Sequence, residues 1–107
     1  MAINSILSTA VSGLQANATR ANVSANNIVN QNSRDFTASQ VNASTIASTS
    51  SAAGGSGVLA QVIATDKPVD LVHEVTQLIE AEAAYRANAE VIRTAEELTE
   101  DTLDIIA

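Results

Sequence analysis

His73 is the single histidine of a chain that has no cysteine. A metal site would therefore need several carboxylates converging on that one imidazole. The adjacent Glu74 points to a different face of any helix the two share, and Gln77, on the same face as His73, is a poor ligand. Glu96, Glu97, Glu100, Asp101 and Asp104 cluster near the C-terminus in a helical pattern, without the D-x-D-x-D-G spacing of a calcium loop. They read as a solvated face, although acids at a helix C-terminus oppose its dipole. Serines are plentiful, but no G-x-S-x-G elbow accompanies the one histidine. The glycine-rich run "AAGGSG" lacks the lysine and the strand-to-helix setting of a phosphate loop and reads as a linker. These residues point to no enzyme, and no cofactor or metal is expected.

The asparagines carry more information. Asn22, Asn26 and Asn30 lie four apart and stack along one helical face, with Asn27 and Asn32 flanking the row. Amides offer donors and acceptors without net charge, which suits hydrogen bonding inside a packed assembly. A solvated polar face is the alternative.

The elements that must position these residues follow from periodicity. Ile3, Leu7, Val11, Leu14, Ala18, Ala21, Ala25 and Ile28 recur at intervals of three and four, a heptad-like stripe that specifies a helix. Gly13 and the many Asn and Ser residues make that helix marginal unless a partner covers the stripe. Phe36 to Ile46 and Val58 to Thr65 suit two short strands of a hairpin, joined by a Ser/Ala/Gly-rich loop from Ser48 to Gly57. From Pro68, which fits a first helical turn with Asp70 and Glu74 complementing the dipole, a second stripe runs through Leu71, Val75, Leu78, Ala81, Tyr85, Ala89, Ile92, Ala95, Leu98 and Leu103. Outside it, Glu82 with Arg86, Glu90 with Arg93 and Arg93 with Glu97 are spaced for ion pairs. The expected fold is mainly α: two long antiparallel terminal helices forming an α-hairpin or coiled coil, with a short β-hairpin or loop insert. Residues 1–107 make one domain, with an N-terminal helix over 1–33, the insert over 34–66 and the C-terminal helix over 67–107.

With 107 residues, 46% hydrophobic but only 2% aromatic, the core of such a domain is thin, and neighbouring chains are expected to complete it. The net charge of −7 argues against nucleic acid. No apolar run is long enough to span a membrane, and the N-terminus has neither the basic n-region nor the apolar core of a cleaved secretory signal.

The string "LQANATRANVSANNIVNQNSRDF", Leu14 to Phe36, resembles the N-terminal signature of the bacterial flagellar axial family of rod, hook and hook-associated proteins, which carries a segment close to "ANNIAN-NT" followed by an aromatic. Ala25, Asn26, Asn27, Ile28 and Asn30 match it, and Phe36 fills the aromatic position. "VDLVHEVTQLIEAEAAYRANAEVIRTAEELTEDTLDI" is similar to the family's C-terminal helix, with Leu71, Glu74, Leu78, Ile79, Tyr85, Asn88, Ile92 and Leu103 in matching places. Val29 stands where Ala is usual. Gln31, Arg34 and Asp35 alter a turn that commonly carries Gly before the aromatic. The short middle favours a small, proximal-rod-like member.

The resemblance implies a structural subunit of the flagellar basal-body rod, self-assembling through its terminal helices into a helical axial tube. Its partners would be copies of itself, other rod and hook proteins and the flagellar type III export apparatus. It would sit in the periplasmic rod of the basal body, exported without a cleaved signal peptide, neither spanning a membrane nor binding nucleic acid. Packing and assembly are expected to rest on Leu7, Val11, Leu14, Asn26, Asn27 and Ile28 of the first helix and on Leu71, Val75, Leu78, Ile79, Tyr85, Ile92 and Leu98 of the second. The alternative reading is a small soluble helical adaptor or secretion chaperone, which explains the acidity but not the paired terminal signatures.

Overall fold

The computed structural model describes residues 2–46 and 57–106. Four elements follow one another: α1 (Ala2–Val29), β1 (Ser39–Ile46), β2 (Gly57–Ala64) and α2 (Leu71–Ile106). The chain is mainly helical, with an antiparallel two-stranded insert between two long helices, as the periodicities require. Most of the loop expected over 48–57 lies outside the described residues, as does the side chain of Ile3. Gly57 itself opens β2.

α1 ends in a turn closed by its own backbone. Asn30 N donates to Asn26 O (3.1 Å), Gln31 N to Ile28 O (3.3 Å) and Ser33 N to Asn30 O (2.9 Å). Asp35 then reverses the chain in the left-handed region, at φ 58°. Phe36 N donates back to Ser33 O, so Phe36 belongs to the turn and the strand starts later than the sequence predicts, at Ser39. α2 also starts later than Pro68. Asp70 caps it, its Oδ1 accepting from Val72 N (3.2 Å) and His73 N (3.5 Å), which leaves Pro68 outside the helix.

The strands pair without interruption from Ser39 opposite Ala64 to Ile46 opposite Gly57. A two-stranded sheet alone is marginal in water, and this one leans on α1. Ser12 Oγ accepts from Val58 N at 3.0 Å near the loop end of the sheet. Gly57 makes that approach possible, since a Cβ there would lie 2.9 Å from Ser12 Oγ.

The molecule measures 62 × 28 × 14 Å with a radius of gyration of 17.6 Å, well above the roughly 13 Å of a compact domain this long. Its buried apolar residues are all alanines: Ala10, Ala16, Ala81 and Ala95. Three polar side chains, Ser24, Asn27 and Glu74, are buried with them.

Candidate functional site

The most constrained surface is the seam between the helices. Three rungs define it, one heptad apart along α1. At Gly13 the helices come so close that a Cβ would lie 2.7 Å from Asn88 Nδ2. At Arg20 the guanidinium donates to Gln77 Oε1 (2.9 Å) and Glu80 Oε2 (3.3 Å) on α2, and to Asn17 Oδ1 (3.2 Å) on its own helix. At Asn27 the side-chain amide donates to Glu74 Oε1 (3.0 Å). Moving along α1 from Gly13 to Asn27 moves the contact back along α2 from Asn88 to Glu74, so the helices run antiparallel in one fixed register.

Asn27 is 0% exposed and joins three elements. Its Oδ1 accepts from Ser39 N (3.0 Å), while Nδ2 donates to Ser39 O (2.8 Å) as well as to Glu74. The amide thus pairs with the backbone of β1 as another strand would and ties the hairpin to the helix pair. Glu74 enters the same junction from the first turn of α2 and is only 5% exposed. Every buried side-chain nitrogen and oxygen among the described residues has a hydrogen-bond partner, as a polar seam requires.

The residues expected to carry packing lie partly at this seam and partly beside it. Leu7, Leu14, Ile28, Leu78 and Ile92 are half-buried. Val11, Leu71, Val75, Tyr85 and Leu98 are exposed, as is Ile79 at 62%. On α1, Leu14 and Ile28 follow the rungs Gly13 and Asn27 by one residue, about 100° around the helix. Asn27 is buried, whereas Asn26 is exposed and its carbonyl accepts from Asn30 Nδ2 (2.9 Å), so the asparagine row closes on its own helix. Sequence reasoning missed Arg20, Ser24 and Asn88 as seam residues. The signal that could have found them is a second heptad line, Gly13, Arg20 and Asn27, one residue before the apolar one.

Outside the seam, α2 is laced by the expected ion pairs. Arg86 meets Glu82 at 2.7 Å, and Arg93 meets Glu97 at 2.6 Å and also Glu90. The hydrogen bond from Arg93, helped by its charge, holds the Glu90 carboxyl below its ordinary value, and the same contact raises Arg93. His73 is exposed on the first turn of α2. Among the described residues no helix is long and apolar enough to cross a membrane.

Two open grooves lie between the hairpin and the helices. One, of about 370 Å³, is lined by polar groups that include Arg20, His73, Glu74 and Gln77. The other, of about 600 Å³, is lined mainly by apolar and small residues such as Ile6, Ala10, Gly13, Ala16, Val58 and Val91. The whole arrangement is a set of packing and hydrogen-bonding surfaces.

Residues 68–105, which contain nearly all of α2, match the family model of the flagellar basal body rod FlgEFG protein C-terminal. This segment is therefore similar to the C-terminal part of flagellar basal-body rod proteins. The match covers about a third of the chain and lies wholly in its C-terminal part. None of the curated proteins matches the chain.

Proposed function

We propose that this protein is a subunit of the flagellar basal-body rod that assembles with copies of itself and with other axial proteins into a helical tube, packing through both terminal helices. Residues 1–107 act as one domain in this reading. The rod it enters is periplasmic, and the flagellar export apparatus delivers the chain there without cleaving a signal.

One observation carries the reading: many of the larger apolar residues of both helices remain half-buried or exposed. Leu7 and Leu14 point about 140–160° away from Ser12, which bonds the hairpin, as Asn27 also does. Leu71 (45% exposed), Val75 (40%) and Tyr85 (45%) on α2 remain accessible beside half-buried Leu78 and Ile92. A stable isolated domain rarely leaves so much large apolar surface open along its length. The seam meanwhile uses alanine and hydrogen bonds, which contribute little apolar burial. The free energy still available lies on that open apolar surface, where another helix pair fits.

Far-UV circular dichroism and sedimentation velocity against concentration test this. Helicity and particle size should rise together. A fully helical, cooperatively melting monomer at every concentration would support an adaptor instead. Leu78→Asp or Ile92→Asp should abolish particle formation and motility, because burying a charge at a helix interface is strongly disfavoured. Normal motility with either change would exclude this use of the helices.

A further inference from the structure

Each edge of the β-hairpin is held by α1 at one end and open along the rest, and those hydrogen bonds fix which backbone groups face outward. Ser39 N and O bond the Asn27 side chain, and Val58 N bonds Ser12 Oγ, so neither residue spends those groups on the opposite strand. Thr65 N, in contrast, donates inward to Ala38 O at 3.2 Å. In an antiparallel ladder, inward and outward positions alternate. With Ser39 opposite Ala64 and Thr45 opposite Val58, the outward positions whose opposite residue is also unbonded to α1 are Val41 and Ala43 on β1 and Ala60 and Val62 on β2. No partner is found for their outward amides among the described residues.

Beyond the Asn27 and Ser12 contacts at one end of each edge, no charge, proline or bulge guards the strands. Exposed edge strands usually carry a charge, a proline or a bulge that prevents pairing with other chains. Both strands here are eight residues long, uncharged and free of proline, in unbroken register. Val62 is 56% exposed and Ile63 43%. The charge distribution points to the same contact. A chain of net charge −7 repels its own copies across acidic α2, and the two strands are surfaces on which a copy can approach without that repulsion. The matching sequence is already present too, since β1 and β2 pair with each other inside the chain.

We infer that the hairpin edges join neighbouring copies: the outer edge of β2 in one copy adds to the outer edge of β1 in the next, extending a sheet around the assembly. Val62 meets Val41 and Ala60 meets Ala43 of the next copy, each pair exchanging two hydrogen bonds, about four in all. The inference rests on the self-assembly proposed above and adds a backbone contact to the helix packing.

Amide hydrogen exchange on particles formed by the purified full-length chain tests it. The outward amides of Val41, Ala43, Ala60 and Val62 should be protected to within about tenfold of the inward amides of Gln40, Asn42, Gln61 and Ile63. Outward amides that exchange freely while the inward set is protected would overturn strand addition and leave assembly through the helices standing. Absence of particles at every concentration would remove the assembly reading and this inference with it. In parallel, Val41→Pro and Val62→Pro each delete one outward N–H that the chain's own ladder does not use. Both should raise the concentration needed for particles more than tenfold. Particles at wild-type concentration from both variants would count against the contact.

Discussion

Asn27 Nδ2 and Glu74 Oε1 meet at 3.0 Å where the end of α1 passes the start of α2, and the same amide holds Ser39 of β1 by both its backbone groups. Helix, helix and hairpin therefore share one buried side chain. Replacing it strands several partners at once. Asn27→Leu should destabilise the folded chain by about 2–4 kcal/mol, since each buried polar group left unpaired costs roughly 1–3 kcal/mol and water reaches some of them. Asn27→Asp removes the donor, sets a second carboxylate beside Glu74 and should be at least as harmful. Urea titrations of each variant measure this, and a loss below about 0.5 kcal/mol would mean that the junction is not held by this amide.

Gly13 faces the end of the Asn88 side chain so closely that a Cβ there would have to displace it. Gly13→Ala gains up to about 1 kcal/mol in helix propensity but must displace the end of the Asn88 side chain, so the two effects should nearly cancel. Adding Asn88→Ala removes the obstruction, and the double variant should melt higher than Gly13→Ala alone. Gly13→Leu forces the helices apart and should cost about 1–3 kcal/mol or more. A thermal melt of the four proteins decides. Equal behaviour of alanine and leucine at position 13 would show that the helices do not approach there.

Asp35 occupies the left-handed region at φ 58°, where an L side chain is strained. This accounts for the glycine commonly found before the aromatic in proteins that resemble this one. Asp35→Gly should stabilise the turn by about 0.5–1 kcal/mol, offset in part by the greater freedom of glycine in the unfolded chain. Asp35→Val should destabilise by about 1–2 kcal/mol, because a β-branched residue fits that region worst. Denaturation midpoints measure both, and a stabilising valine would contradict the turn geometry.

Glu90 is held below its ordinary carboxylate value of 4.5 by Arg93. A group whose folded value is depressed contributes stability above its unfolded value and loses it as pH falls through the folded one. Helicity of α2 should thus decline on acidification below about pH 4.5, and Glu90→Gln should flatten the part of that decline owed to this pair. The effect is small because the pair is fully exposed. An identical pH profile for wild type and variant would show that solvent screens the pair entirely.

Much of the architecture was legible in the chain. A period near 3.6 from Leu7 to Ile28 and again from Leu71 to Leu103 specifies two helices whatever they pack against. The ion pairs of Glu82, Arg86, Glu90, Arg93 and Glu97 were readable because spacings of three and four fix which side chains meet on one helix. The seam was harder to read. Periodicity gives the direction of an apolar face but not how a wide face is divided among several neighbours. At the seam, close approach favours the smallest residues, Gly13, Ala81 and Ala95, while Leu71 and Tyr85 of the apolar stripe stay exposed. The partnership of Asn27 with Ser39 was invisible for a different reason. It joins a side chain to a backbone, and backbone groups leave no trace in sequence.

Two helices joined at heptad intervals have an inherent ambiguity, because sliding one past the other by seven residues superposes the pattern on itself. Here the three rungs differ in kind, so the ambiguity is lifted. Sliding in one direction sets Asn27 against Ala81 and Arg20 against Asn88, leaving Glu74 buried without its amide and Gln77 without its guanidinium. Sliding in the other sets Gly13 against Ala81 and Arg20 against Glu74, and carries Asn27 beyond the start of α2. Every such misalignment orphans buried polar groups, whereas an all-alanine or all-leucine seam would barely register it. The polar rungs act as a vernier: at little cost in apolar burial they fix the axial position of one helix against the other to a single setting.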